Sequence, residues 1–115
     1  MVRNRSELLH TLATHASEIR TFGVDRLGLF GSFARDTATE QSDVDLYVEF
    51  HPGRKTLKNL VGLSRMLQDL LGRNVELVTP EALDPFIGKY ILQEMQYVAL
   101  AAEGERRTSI VSKVA

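Results

Sequence analysis

Residues 43 to 50, DVDLYVEF, constrain the fold of this chain more than any other stretch. Val44, Leu46, Val48 and Phe50 alternate with Asp43, Asp45, Tyr47 and Glu49, and a period of two places the first set on one face of a β-strand and the second on the other. The apolar face has to be covered, and the flanking segments supply the cover. A helix is predicted over about residues 5 to 21, capped by Asn4, with Glu7 at capping-box spacing. Its stripe is Leu8, Leu12, Ala16 and Ile19, and Gly23 stops it. A second helix is predicted from about Thr56 to Leu71, with Leu57, Leu60, Val61, Leu67, Leu70 and Leu71 as its buried stripe and Gly72 closing it. Short strands are predicted around Leu27 to Phe30 and Val75 to Thr79, and a last helix from about Pro85 to Met95. The fold class is therefore α+β: a small mixed β-sheet of three to four strands with its helices on one face. If the Val44 face carries those helices, the Asp43/Asp45 face stays open to solvent and ligand.

Bulk properties narrow the function classes. The 115 residues fit one domain, 1–115, with a core at about 5–98 and a polar tail at 103–115. Fourteen Lys+Arg against fifteen Asp+Glu leave a formal charge of −1, which argues against direct nucleic-acid binding and against a polybasic membrane binder. The absence of cysteine excludes a disulfide framework, thiolate catalysis and Cys-ligated zinc. No apolar run approaches the ~20 residues that span a bilayer, and the first residues, MVRNRSELLH, lack a signal-peptide core, so the expected location is cytoplasmic.

Asp43 and Asp45 stand two apart on a strand, about 7 Å between Cα atoms from the strand rise, so their carboxylates emerge side by side. Like charges held so close repel, and a hard divalent cation relieves the repulsion. Such a pair can bridge two Mg²⁺ ions for in-line phosphoryl or nucleotidyl displacement. Taken alone, an Asp-x-Asp is an ordinary solvated strand face. Gly31-Ser32, at the end of the preceding strand, alters that reading. A glycine there lets backbone approach a ligand closely, and the N–H groups and Ser32 hydroxyl of the following helical turn suit a phosphate. Taken alone, this too is an ordinary Gly-Ser turn. Together the two segments are the halves of a nucleotide–metal site. Glu76, on the next strand after a helical crossover, can join the same face as a third metal ligand or accept the proton of an attacking hydroxyl. It can equally be an exposed strand glutamate.

These residues resemble a known family. GSFARDTATEQSDVDLYVEF is similar to the signature of minimal nucleotidyltransferases in the DNA polymerase beta superfamily, a Gly-Ser followed about ten residues later by Asp-x-Asp. The likeness extends to about Tyr97, and resembles most the small members that act as antitoxins beside HEPN-domain toxins. The resemblance implies that Gly31 and Ser32 hold the triphosphate of an NTP, most simply ATP. It implies that Asp43 and Asp45 bind the catalytic magnesium ions and that Glu76 stands where the family usually has aspartate, as metal ligand and general base. The implied reaction moves AMP to a hydroxyl, a tyrosine of the HEPN toxin in the antitoxin group. Two departures stand out. Glu76 is one methylene longer than aspartate, and Asp36 replaces the glycine that commonly follows GSFAR. Arg35 can touch phosphate or pair with Asp36 or Asp43.

The resemblance leaves an alternative: a weak or inactive homologue that neutralises its partner by direct binding. Transfer to RNA or to an antibiotic fits less well, since a basic surface or appended domain is missing from the sequence. His10 and His15 lie five apart on a helix and share no face, and His51 falls in a turn. Tyr47 and Glu49 border the aspartates. The Tyr90/Ile91/Met95/Val98 stripe of the last helix is either core or an interface in a homo- or hetero-oligomer.

Overall fold

The computed structural model describes residues 1–100, apart from the Ile87 side chain; the polar tail at 103–115 lies outside them. Along the chain run α1 (Arg5–Thr14), α2 (Ala16–Arg20), β1 (Val24–Phe30), α3 (Gly31–Ala34), β2 (Val44–Phe50), α4 (Leu57–Leu71), β3 (Val75–Val78), a 3₁₀ turn (Pro80–Ala82), α5 (Pro85–Glu94) and β4 (Gln96–Tyr97). The four strands form one mixed sheet in the order β3-β2-β1-β4. β1 is antiparallel to both its neighbours, while β3 returns parallel to β2 after the α4 crossover. No helix among the described residues is long and apolar enough to cross a membrane.

The alternation in β2 sets the layering as anticipated. Val44, Leu46 and Val48 are fully buried, packed with Leu27 and Leu29 of β1 against Leu8 and Leu12 of α1, Ile19 of α2 and Leu63, Leu67 and Leu71 of α4. α4 is bounded as its sequence demands. The Thr56 side chain accepts from the Asn59 N–H, and Gly72 ends the helix in the left-handed region at φ 67°.

Five expectations are corrected. On α4 the predicted stripe is displaced: Leu57 is 78% exposed and Val61 42%, while Leu63 is buried with Leu67 and Leu71. The first helix is not continuous: it breaks at His15. There the Thr11 and Thr14 hydroxyls donate to carbonyls one turn back, and the His15 ring nitrogen bonds the Thr11 carbonyl. Side chains that compete for helix carbonyls in this way weaken the regular ladder. Asn4 does cap α1 by accepting from the Glu7 N–H at 2.9 Å, yet Glu7 meets the Asn4 side chain rather than its backbone N–H. β1 begins at Val24, three residues earlier than its apolar run, because an irregular register at Val24/Arg26 carries the polar pair Asp25-Arg26 through the sheet edge. Finally, α5 contributes nothing to the core among the described side chains. Of the predicted stripe, Tyr90 is 59% exposed while Ile91 and Met95 are half-buried, and Phe86, outside the stripe, is 73% exposed. Only Val98, beyond the helix, is buried, beside β1.

Candidate active site

The open face of the sheet gathers the polar side chains of β2 with their cross-strand partners. Asp45 lies opposite Phe30 on one side and in register with Glu76 on the other, so the acid pair across β2 and β3 is built by parallel pairing. Asp43 sits one residue ahead of β2, exposed at its mouth. Tyr47, 6% exposed, continues the face beside Gly28, and Arg26 stacks on Tyr97 with its guanidinium carbon 3.9 Å from the ring centre.

The acids interact strongly. Burial pushes the Asp45 carboxyl up to about 6, helped by a hydrogen bond with Glu76 and by the negative charges of Glu76 and Asp43, against a smaller opposing pull from Arg35. A half-buried carboxylate flanked by two others ionises reluctantly until a cation neutralises the group. The donor set is therefore hard oxygen, the chemistry that magnesium favours. Among the described residues, no three such side chains are arranged to enclose a metal ion.

Gly31 ties the two halves of the site together. Its φ is 76°, and a Cβ there would run into the Asp45 carboxylate. Only glycine satisfies both the left-handed backbone and that contact. α3 then starts at Gly31, where the first amides of a helix lack intrahelical acceptors. Here the Gly31 N–H donates to Glu94 Oε1 at 3.0 Å, and Arg35 Nη1 holds both oxygens of the same carboxylate at 3.2 and 3.0 Å. Arg35 thus pairs with Glu94, not with the Asp36 or Asp43 anticipated for it. Asp36 takes φ 59°, the one non-glycine among the described residues with positive φ, and its side chain accepts from the Arg5 N–H at 3.1 Å. Aspartate tolerates this region better than most residues, which explains how it can stand at a glycine position.

Of the sequence-predicted residues, Gly31, Asp45 and Glu76 meet directly, Asp43 and Arg35 act on Asp45 through their charge, and Ser32 follows Gly31 in the first turn of α3. Glu94 escaped the sequence reading because it lies 63 residues from Gly31 and belongs to no local motif. A polar cleft of about 510 Å³ touches this cluster only through Asp43, with Glu40, Gln41, Arg73 and Asn74 among its walls.

Comparison with known proteins identifies the family and the fold. The nucleotidyltransferase domain family matches residues 12–98. A protein adenylyltransferase, MntA, of Thermococcus cleftensis is 41% identical over 93 residues, 80% of this chain and 93% of the relative. A solved minimal nucleotidyltransferase superposes with a TM-score of 0.64 at 36% identity, over 76% of this chain and 93% of the other. The complex of a tri-AMPylated HEPN toxin from Shewanella oneidensis with its MNT antitoxin shares the fold at 14% identity, with a TM-score of 0.51 over 88% of this chain and 82% of its own. The chain belongs to the nucleotidyltransferase domain family, with the minimal fold of that enzyme group.

Proposed function

We propose that this nucleotidyltransferase is an antitoxin that transfers AMP from ATP to a tyrosine hydroxyl of a HEPN-type toxin. The contact between Gly31 and Asp45 carries the reading, because it joins a phosphate-accepting turn to an acid pair in one place. The names of the adenylyltransferase relative and of the HEPN–MNT complex support the choice of AMP and of partner.

Asp43, Asp45 and Glu76 are the side chains that would hold magnesium, which when bound neutralises charge on the triphosphate and on the attacking oxygen. The chain's own residues do the rest. The Gly31 amide, the Ser32 amide and hydroxyl and the Arg35 guanidinium bind the triphosphate, and the first of these must release Glu94 to do so. The acceptor oxygen bonds to the α-phosphorus, the bond to the bridging oxygen breaks, and pyrophosphate leaves. Glu76, exposed at the rim, takes the hydroxyl proton.

The test is transfer of label from α-labelled but not γ-labelled ATP to a HEPN partner with Mg²⁺ present. Labelled partner with the wild type, and none with Asp43→Asn/Asp45→Asn, is the expected result. Unlabelled partner that is still bound and neutralised by both forms would leave a binding module instead.

A further inference from the structure

The only buried charged side chain among the described residues is Arg73, 8% exposed, in the turn between α4 and β3. Its hydrogen bonds go to backbone carbonyls. Nε donates to Val2 at 2.8 Å, and Nη1 donates to Thr39 at 2.8 Å, Glu40 at 3.3 Å and Ser42 at 2.8 Å. The face of the guanidinium lies over the Phe33 ring, 4.9 Å from its centre. Phe33 belongs to α3, one residue beyond Ser32, and is fully buried.

These contacts converge on Asp43. The carbonyl of Ser42, on one side of Asp43, is held by Arg73. The N–H of Val44, on its other side, donates to the carbonyl of Asn74, the next residue after Arg73, at 2.9 Å. A loop of polar residues, otherwise stapled by Thr37 to the Ser32 carbonyl at 2.9 Å and by the Ser42–Thr39 bond at 3.1 Å, thus acquires a fixed end just where the acid leaves it. A buried cation that meets several carbonyls forms strong, charge-assisted bonds, and the planar fork of arginine fixes their directions.

We propose that Arg73 is a positioning residue of the nucleotidyl-transfer site, fixing Asp43 relative to the Gly31-Ser32 turn by clamping the Asp43 loop and stacking on Phe33 at once. The inference rests on the transferase reading above, but its geometry does not involve nucleotide. Lysine at this position keeps a charge and three donors, yet an ammonium cannot span the Val2, Thr39 and Ser42 carbonyls and lie flat on Phe33 together. Misplacing a reacting group's support by about 1 Å costs on the order of a hundredfold in rate.

The experiment compares wild type with Arg73→Lys and Arg73→Gln in AMP transfer to the HEPN partner, after circular dichroism and thermal melting identify the variants that remain folded. In Arg73→Lys, kcat should fall roughly 10–100-fold while KM for ATP stays within about threefold, the pattern of a supporting residue that acts through a catalytic one. Restoration of full kcat by lysine, or a fall that tracks only the folded fraction, would overturn the proposal. Amide exchange in the same folded variants reads the clamp without catalysis. Selective acceleration at Gln41 to Val44, with α4 unchanged, is expected; no change at those amides would overturn the proposal. A wild type that transfers no label while Arg73→Lys still frees those amides would sink the transferase reading and leave the clamp standing.

Discussion

The pressure inside the acid cluster has a measurable consequence for stability. Asp45 is held at about 6 in the folded protein against an ordinary 3.8, first by burial and then by Glu76 and Asp43. Raising a carboxyl in the folded state favours its neutral form, so the associated stability is complete below about pH 3.8 and is lost as pH rises to about 6. Above that, ionised Asp45 is a constant burden on the metal-free fold. The gap, at about 1.4 kcal/mol per pH unit, corresponds to about 3 kcal/mol. Asp45 is only partly buried, and solvent screening leaves about half of that, ~1.5 kcal/mol. Asp45→Asn removes the charge, keeps the shape and can still donate to Glu76. Unfolding entropy of about 2.1 cal/mol/K per residue gives ~0.24 kcal/mol/K for a chain of this length, so the metal-free variant should melt about 6 °C above wild type at pH 7.5. That gain should shrink towards zero as pH is lowered to about 4. Scanning calorimetry without divalent cations at the two pH values is the assay. An equal shift at both, or a lower Tm for the variant at pH 7.5, would mean that the Asp45 charge does not burden the metal-free fold. Added magnesium should narrow the difference, since a cation relieves the same repulsion.

Two further outcomes follow from the contacts around α3. Glu94→Ala frees the Gly31 N–H and Arg35 from a competing carboxylate, so calorimetric titration should show ATP bound roughly 3–10-fold more tightly, as expected when a partly exposed charge-assisted contact of about 1 kcal/mol no longer has to be displaced; unchanged or weaker binding would place the triphosphate elsewhere. At the left-handed position 36, Asp36→Gly should leave Tm nearly unchanged, backbone relief offsetting loss of the bond to Arg5, whereas Asp36→Val should cost about 2 kcal/mol or more in chemical denaturation.

Much of this site is legible in the sequence, for physical reasons that differ by element. The β2 alternation and the α4 boundaries at Thr56 and Gly72 are set by local chemistry, and both are found where their residues place them. Gly31 is legible as a close approach of backbone to a ligand, though in the fold the space a Cβ would need there is taken by Asp45. The two-residue β4 has no pattern of its own and exists only because β1 offers an edge at Gly28 and Leu29. The clash of a Cβ at Gly28 with Met95 likewise joins segments distant in sequence. Glu94 and Arg73 read locally as a helix acid and a turn cation; their roles arise from partners 59 to 71 residues away for the Arg35–Glu94 and Arg73–Val2 contacts. The break at His15 is local, but three side chains bonding back to carbonyls outweigh an otherwise regular apolar stripe.

An acid pair that drives modification of a partner leaves a covalent mark that simple association does not. Intact-mass analysis of a HEPN partner co-expressed with the wild type, and separately with Asp43→Asn/Asp45→Asn, reads that mark. Partner heavier by one or more AMP groups is expected in the first case and unmodified partner in the second. Unmodified partner in both, with its toxicity suppressed in both, would make the protein a binding antitoxin and not a transferase.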